Sequence, residues 1–152
     1  MSGIEILGIA ASVLQIADLG AKLSVKLFTF SRKVKNADKT INSISQDIAA
    51  TGAVLQQLAS VLKKDEKSRV CSDQAIQTAK GLVDDCKKIF SELDDALDNP
   101  SPGNKYFSAW KDRLKFPFIE PQIDLLQSNL ERLKSSLVVM LNVLIYAEQL
   151  RK

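Results

Sequence analysis

The sequence predicts an all-α protein, an antiparallel bundle of four long helices plus a short aromatic helix, and three observations carry that prediction. Apolar residues recur at alternating steps of three and four through four separate segments, the spacing that lines them up on one face of an α-helix. Glycine and proline are scarce, 6 and 4 of 152 residues, so there are few positions at which regular structure must stop. No run shows the strict alternation that would bury one face of a strand. With 45% of its residues hydrophobic, the chain is long enough to bury one core and too short for two, so residues 1–152 are read as a single domain.

The first segment places Ile9, Val13, Ile16, Gly20, Leu23, Leu27 and Phe30 along one helical seam. Ile6, Leu7, Ala10, Ala11, Leu14 and Ala17 widen that surface and leave a thin polar stripe through Glu5, Ser12, Gln15, Asp18, Lys22 and Lys26. A helix so apolar around its circumference is expected to be central, with neighbours on most sides. After the basic connection Arg32, Lys33 and Lys35, Asp38 is a good N-cap for a second helix with Ile41, Ile44, Ile48, Thr51, Leu55, Leu58 and Leu62 on its seam. The charged stretch from Lys63 to Arg69 is expected to end it. Ser72 then caps a third helix carrying Ile76, Ala79, Val83, Cys86, Phe90, Leu93 and Leu97, which makes Cys86 a core residue.

Asn99-Pro100-Ser101-Pro102-Gly103-Asn104 is a run of turn formers and predicts a loop. Tyr106, Phe107, Trp110 and Leu114 are spaced for the short amphipathic helix, which Phe116-Pro117-Phe118 should stop. That aromatic group could stack on a base or a lipid headgroup, but a cover over the open end of a bundle is the commoner use. The last helix starts near Pro121 and runs through Ile123, Leu126, Leu130, Leu133, Leu137, Met140, Leu144 and Ala147. Its second half is apolar nearly all round except at Asn142, so it too is expected to be central. Short connections make successive helices antiparallel neighbours. The periodicity persists almost to Lys152 without a C-cap glycine, which predicts that the domain is the N-terminal part of a longer protein.

Composition removes most chemistry. Without a single histidine, no Ser-His-Asp or Cys-His site can form within the chain, and the commonest metal ligand and neutral-pH base are missing. No phosphate-binding glycine loop and no zinc-ligand spacing is present, and the adjacent pairs Asp84-Asp85 and Asp94-Asp95 would splay by about 100° on a helix. The expectation is a non-enzyme with no catalytic, cofactor or metal residues. Cys71 and Cys86 are too few for a disulfide framework and are read as thiols in a reducing compartment. Glu5 stands where a secretory signal would be positive, and the uncharged run from Ile6 to Ala17 is shorter than the ~20 residues of a bilayer span, so no constitutive anchor is expected.

The net charge of +3, from 21 basic and 18 acidic residues, does not argue for nucleic acid. Charge is unevenly shared, however: Ser72 to Asp98 holds seven acids and three lysines. Basic residues gather at Arg32, Lys33, Lys35 and Lys39, at Lys63, Lys64, Lys67 and Arg69, and at Lys105, Lys111, Arg113 and Lys115. Solvated helix ends are the ordinary explanation for such groups, and anionic lipid or an acidic partner the functional one, with Arg32, Lys33, Lys35 and Lys39 the candidates. In the first helix, Gly8 with Ser12 and Ala17 with Ala21 are small pairs at the four-residue spacing that permits close helix approach in lipid, although close packing within a soluble bundle is the commoner reason.

The opening Ile9-Ala10-Ala11-Ser12-Val13-Leu14-Gln15-Ile16-Ala17 followed by Gly20-Ala21-Lys22-Leu23-Ser24, then Ala37-Asp38-Lys39 with Ile41, and Asp47 to Leu58, resemble the fungal N-terminal domain of STAND (NLR-like) proteins, related to the HeLo-like group. Trp110, Leu114-Lys115-Phe116-Pro117-Phe118 and Leu130-Glu131-Arg132-Leu133-Lys134-Ser135-Ser136-Leu137 resemble the same family's tryptophan, proline-aromatic and final-helix pattern. The resemblance covers nearly the whole chain and consists of helical patterns without a catalytic motif.

It implies a HeLo-like signalling or effector bundle, cytoplasmic at rest, acting in regulated cell death or incompatibility by oligomerisation and by sending its first helix into an anionic plasma membrane. Implied partners are other copies of the chain and a downstream STAND or amyloid-signalling protein. On this sequence the inserting segment would be Ile4 to Leu23, with Ile4, Ile6, Leu7, Gly8, Ile9, Ser12, Val13, Leu14, Ile16, Ala17, Gly20, Ala21 and Leu23 as its membrane residues and Gly8, Ser12, Ala17 and Ala21 as its packing face. Glu5, Asp18 and Lys22 depart from a clean spanning segment. The alternative is a non-toxic interaction or autoinhibitory module of a STAND protein.

Overall fold

A computed structural model describes residues 2–33, 39–98 and 121–151, with side chains described for 2–29, 41–95 and 125–150. It contains four helices: α1 (Gly3–Lys33), α2 (Lys39–Ser68), α3 (Asp73–Asp98) and α4 (Pro121–Arg151). Among the described residues there is no strand. The Asp38 cap, Lys35, the Asn99–Asn104 loop and the short aromatic helix at Tyr106 to Leu114 lie outside the described residues.

The helices stand in a ring. α1 packs on α2 and α3, and α4 packs on the same two, so α1 and α4 occupy opposite corners, and so do α2 and α3, whose short connection joins diagonal helices instead of the neighbours expected from the sequence. The up-down-up-down order is visible in the side-chain bonds between helices. Ser45 near the start of α2 donates its hydroxyl to the Ser24 carbonyl towards the end of α1 at 2.8 Å. Lys26 reaches Asp94 near the end of α3 at 2.6 Å. At the other end of the bundle, Ser68 on the last residue of α2 donates to Glu148 near the end of α4, also at 2.6 Å.

The core seams of α2 and α3 are those the spacing predicts: Ile41, Ile44, Ile48, Thr51, Leu55, Leu58 and Leu62 are buried, as are Ile76, Ala79, Val83, Cys86, Phe90 and Leu93. Thr51 satisfies its buried hydroxyl on the Asp47 carbonyl one turn back, at 2.7 Å. Ser72 caps α3 as predicted, accepting the Ala75 N–H at 3.1 Å. On α4, Leu126, Leu130, Leu133, Leu137, Leu141 and Leu144 are buried, while Met140 and Ala147 are half-buried.

Three further expectations are corrected. The buried seam of α1 begins at Ile6 and Ala10, and Ile9 is only half-buried, because α1 faces two helices and its inward arc is centred between them. Among the described residues neither α1 nor α4 is central: each packs mainly on α2 and α3 and does not have neighbours on most sides. Nor does the charge of Lys63 to Arg69 stop α2, which runs on to Ser68. Lys63, Lys64 and Lys67 lie on the solvent side, where charge is compatible with a helix, and the stop comes at Arg69, whose φ of 53° is left-handed and whose N–H closes on the Asp65 carbonyl at 2.8 Å.

Candidate functional site

The predicted membrane segment of α1 is divided by the bundle. Ile6, Val13, Ile16, Ala17, Gly20 and Leu23 point into the core, Ile9 and Leu14 are half-buried, and Ile4, Leu7, Gly8, Ser12 and Ala21 face solvent. Ile4 is 84% exposed. By length and composition α1 from Gly3 to Thr29 is apolar enough to cross a membrane, as is α4 from Leu125 to Leu150. α1 meets this measure although its uncharged run is short, because Glu5, Asp18, Lys22 and Lys26 are spread thinly along it.

In the resting bundle the four small residues expected to form the packing face of an inserted helix are not gathered on one contact. A Cβ on Gly8 would meet nothing within 4 Å, and Ser12 and Ala21 are exposed. Stepping five residues from Ser12 to Ala17 turns the helix by about 140°, so the two small pairs lie on different sides. The close approaches are elsewhere. A Cβ on Gly52 of α2 would lie 3.5 Å from the Ala17 carbonyl oxygen, and one on Gly20 would lie 2.8 Å from Cε2 of Phe90. The aromatic ring of α3 therefore occupies the space that Gly20 leaves, which is why α1 and α3 can lie so near each other.

Of the basic candidates, Arg32 and Lys33 fall in the last turn of α1 and Lys39 opens α2, with their side chains outside the described residues. Cations at a helix C-terminus complement its dipole. A groove between α3 and α4 is lined by Asp85, Lys88, Ile89, Glu92, Asn129, Arg132 and Leu133. Its two acids and two bases cancel, so it selects for neither sign of charge.

A polar corner that the sequence did not disclose lies where α2 turns into α3. Asp65 is fully buried, and its Oδ1 accepts the N–H groups of Val70 and Cys71, both at 2.9 Å. The carboxylate thus replaces the helix ladder in a turn that has left helical conformation. Its Oδ2 is buried with no hydrogen-bond partner. Asp65, Cys71 and Glu148 each place a ligand-type atom within 4.8 Å of the others. The Cys71 thiol is pushed up to about 12, first by burial, then by hydrogen bonding to the Asp65 side chain and by the charges of Asp65 and Glu148. Cys86 is also pushed up to about 12, by burial and then by Asp85. Both thiols are therefore protonated and poor nucleophiles at neutral pH. The corner was illegible because its members are six and seventy-seven residues apart, a separation no linear motif spans.

Residues 4–150 match the family model described as pigment biosynthesis cluster protein PigL N-terminal. No curated protein and no solved structure matches the chain.

Proposed function

Because the chain belongs to this PigL N-terminal family, a fungal N-terminal helical domain family associated with HeLo-like and STAND proteins, we propose that it is a non-catalytic signalling or effector domain of a fungal NLR-like or HeLo-like protein. In this reading it acts in regulated cell death or incompatibility. It rests in the cytoplasm, oligomerises through other copies or a downstream STAND or amyloid-signalling partner, and delivers α1 to anionic plasma membrane.

The observation that supports the reading best is α1 itself. It is long and apolar enough to span, and its first turns already present Ile4 and Leu7 to solvent. Release requires exchanging the core contacts of Ile6, Val13, Ile16 and Leu23 for lipid. Asp18 and Lys22 would be costly at membrane depth, so several chains must enclose them around a polar pathway.

The test is dye leakage from anionic liposomes by the wild-type chain and by Gly8→Leu and Ser12→Leu. Both positions are exposed in the resting bundle, so the substitutions leave the fold intact. Leakage that either substitution abolishes is the expected result; intact vesicles at high protein concentration refute the reading.

The exposed flank of α4 favours a second reading, a non-toxic interaction or autoinhibitory module. Val139, Val143, Tyr146 and Leu150 follow the three-four rhythm on the side of α4 away from the core. Self-association or partner binding without leakage, unaffected by removing the first few residues, is its signature.

A further inference from the structure

We propose that Asp65, Cys71 and Glu148 form a binding site for a divalent cation of the zinc class. The proposal is independent of the function argued above and rests on the corner where α2, the α2–α3 turn and α4 meet. The carboxylate of Asp65 is 0% exposed, and a buried carboxylate oxygen without a donor is a costly arrangement that native structures rarely leave uncompensated. Oδ1 is occupied by two backbone N–H groups, while Oδ2 has none. Asp65 shares the corner with two further groups of the kind that ligate metals, one ligand atom from each lying within 4.8 Å of the others. A cation satisfies Oδ2 and offsets two carboxylate charges held together.

The donor set selects the ion. A thiolate sulfur disfavours calcium and magnesium, and two carboxylates disfavour copper(I), which leaves a borderline divalent ion such as Zn²⁺. Metal–sulfur and metal–oxygen bonds of about 2.3 and 2.1 Å bring ligand atoms closer together than the upper separation here. Glu148, half-buried on a flexible stem and already hydrogen-bonded to Ser68, supplies the closing movement and the route of entry from solvent. On binding, Cys71 gives up its thiol proton to solvent and bonds the metal through sulfur, with water in the fourth position. The ion would then tie α4 to the turn between α2 and α3.

The experiment uses the whole 152-residue chain, stripped with chelator and kept reduced without added thiols. It is titrated with ZnCl₂ by calorimetry and with Co²⁺ as a spectroscopic probe. One equivalent of zinc, a raised melting temperature and a thiolate-to-cobalt charge-transfer band are expected. Cys71→Ser and Glu148→Gln should each weaken zinc binding by about tenfold or more, and Cys86→Ser should not. Glu148→Gln is half-buried and keeps its bond capacity to Ser68, so it tests the site even if the cysteine variant unfolds. Absence of stoichiometric zinc binding overturns the proposal, as does binding that gives no thiolate band or that survives Glu148→Gln unchanged.

Discussion

Helices α1 and α4 have the same length and are both apolar enough to span a bilayer, yet the bundle uses their apolar residues differently. α1 turns some of its small residues inward, while Gly8, Ala11, Ser12 and Ala21 face solvent. Ala10, Ala17 and Gly20 are buried with larger neighbours, and α2 and α3 come close to its backbone. Polar Gln15, Asp18 and Lys22 occupy the middle of its outer side. α4 keeps a leucine seam inward and carries a second apolar strip outward: Val139 is 62% exposed, Tyr146 62% and Leu150 68%. The difference teaches that total apolarity does not distinguish a helix seated by close backbone approach from one whose free flank is available to a partner or a membrane.

The comparison predicts, first and with the largest effect, that Phe90→Ala unseats α1. The ring fills the space above Gly20 and is fully buried, so its loss should cost about 3–5 kcal/mol in a urea denaturation. A cost below about 1 kcal/mol would mean that close seating against α3 does not hold α1.

A glycine pair on α1 sharpens the same point. Gly20→Ala must push its Cβ against the Phe90 ring at 2.8 Å and should destabilise by about 1–3 kcal/mol. Gly8→Ala meets nothing and should instead stabilise by up to about 1 kcal/mol through helix propensity. Melting temperatures moving in the same direction for both would break the assignment of inner and outer faces.

The smallest effect on folding is expected from the α4 strip. Val143→Lys and Tyr146→Lys face solvent and should change stability by no more than about 0.5 kcal/mol. If the strip is an interface, the same changes abolish self-association in sedimentation at unchanged melting temperature. A large loss of stability in the isolated chain would show that the strip is covered within its own bundle.

Much of this fold was legible because a periodic seam carries its meaning locally. Every seam position proposed for α2 is buried, and Ser72 was recognised as a cap from its residue type and place before Ile76. The errors occurred where a residue's fate depends on partners distant in sequence. Ile9 and Ile6 are chemically equivalent, and only the direction of two neighbouring helices decides which is buried. Gly8 and Gly20 look alike in sequence, but one faces water and the other a phenylalanine seventy residues away. Asp65 sits in a charged stretch, and what holds it inside is the turn it caps, through the N–H groups of Val70 and Cys71.

By itself the sequence determined the helical class, the number of long helices, most of their inward faces and the poverty of histidine-based chemistry, because spacing and residue type act within a turn or two of the backbone. Tertiary structure alone decided which apolar flanks stay bare, which glycine admits a neighbour and which carboxylate is buried. Those outcomes follow from which helices pack against one another, and no single helix contains that information.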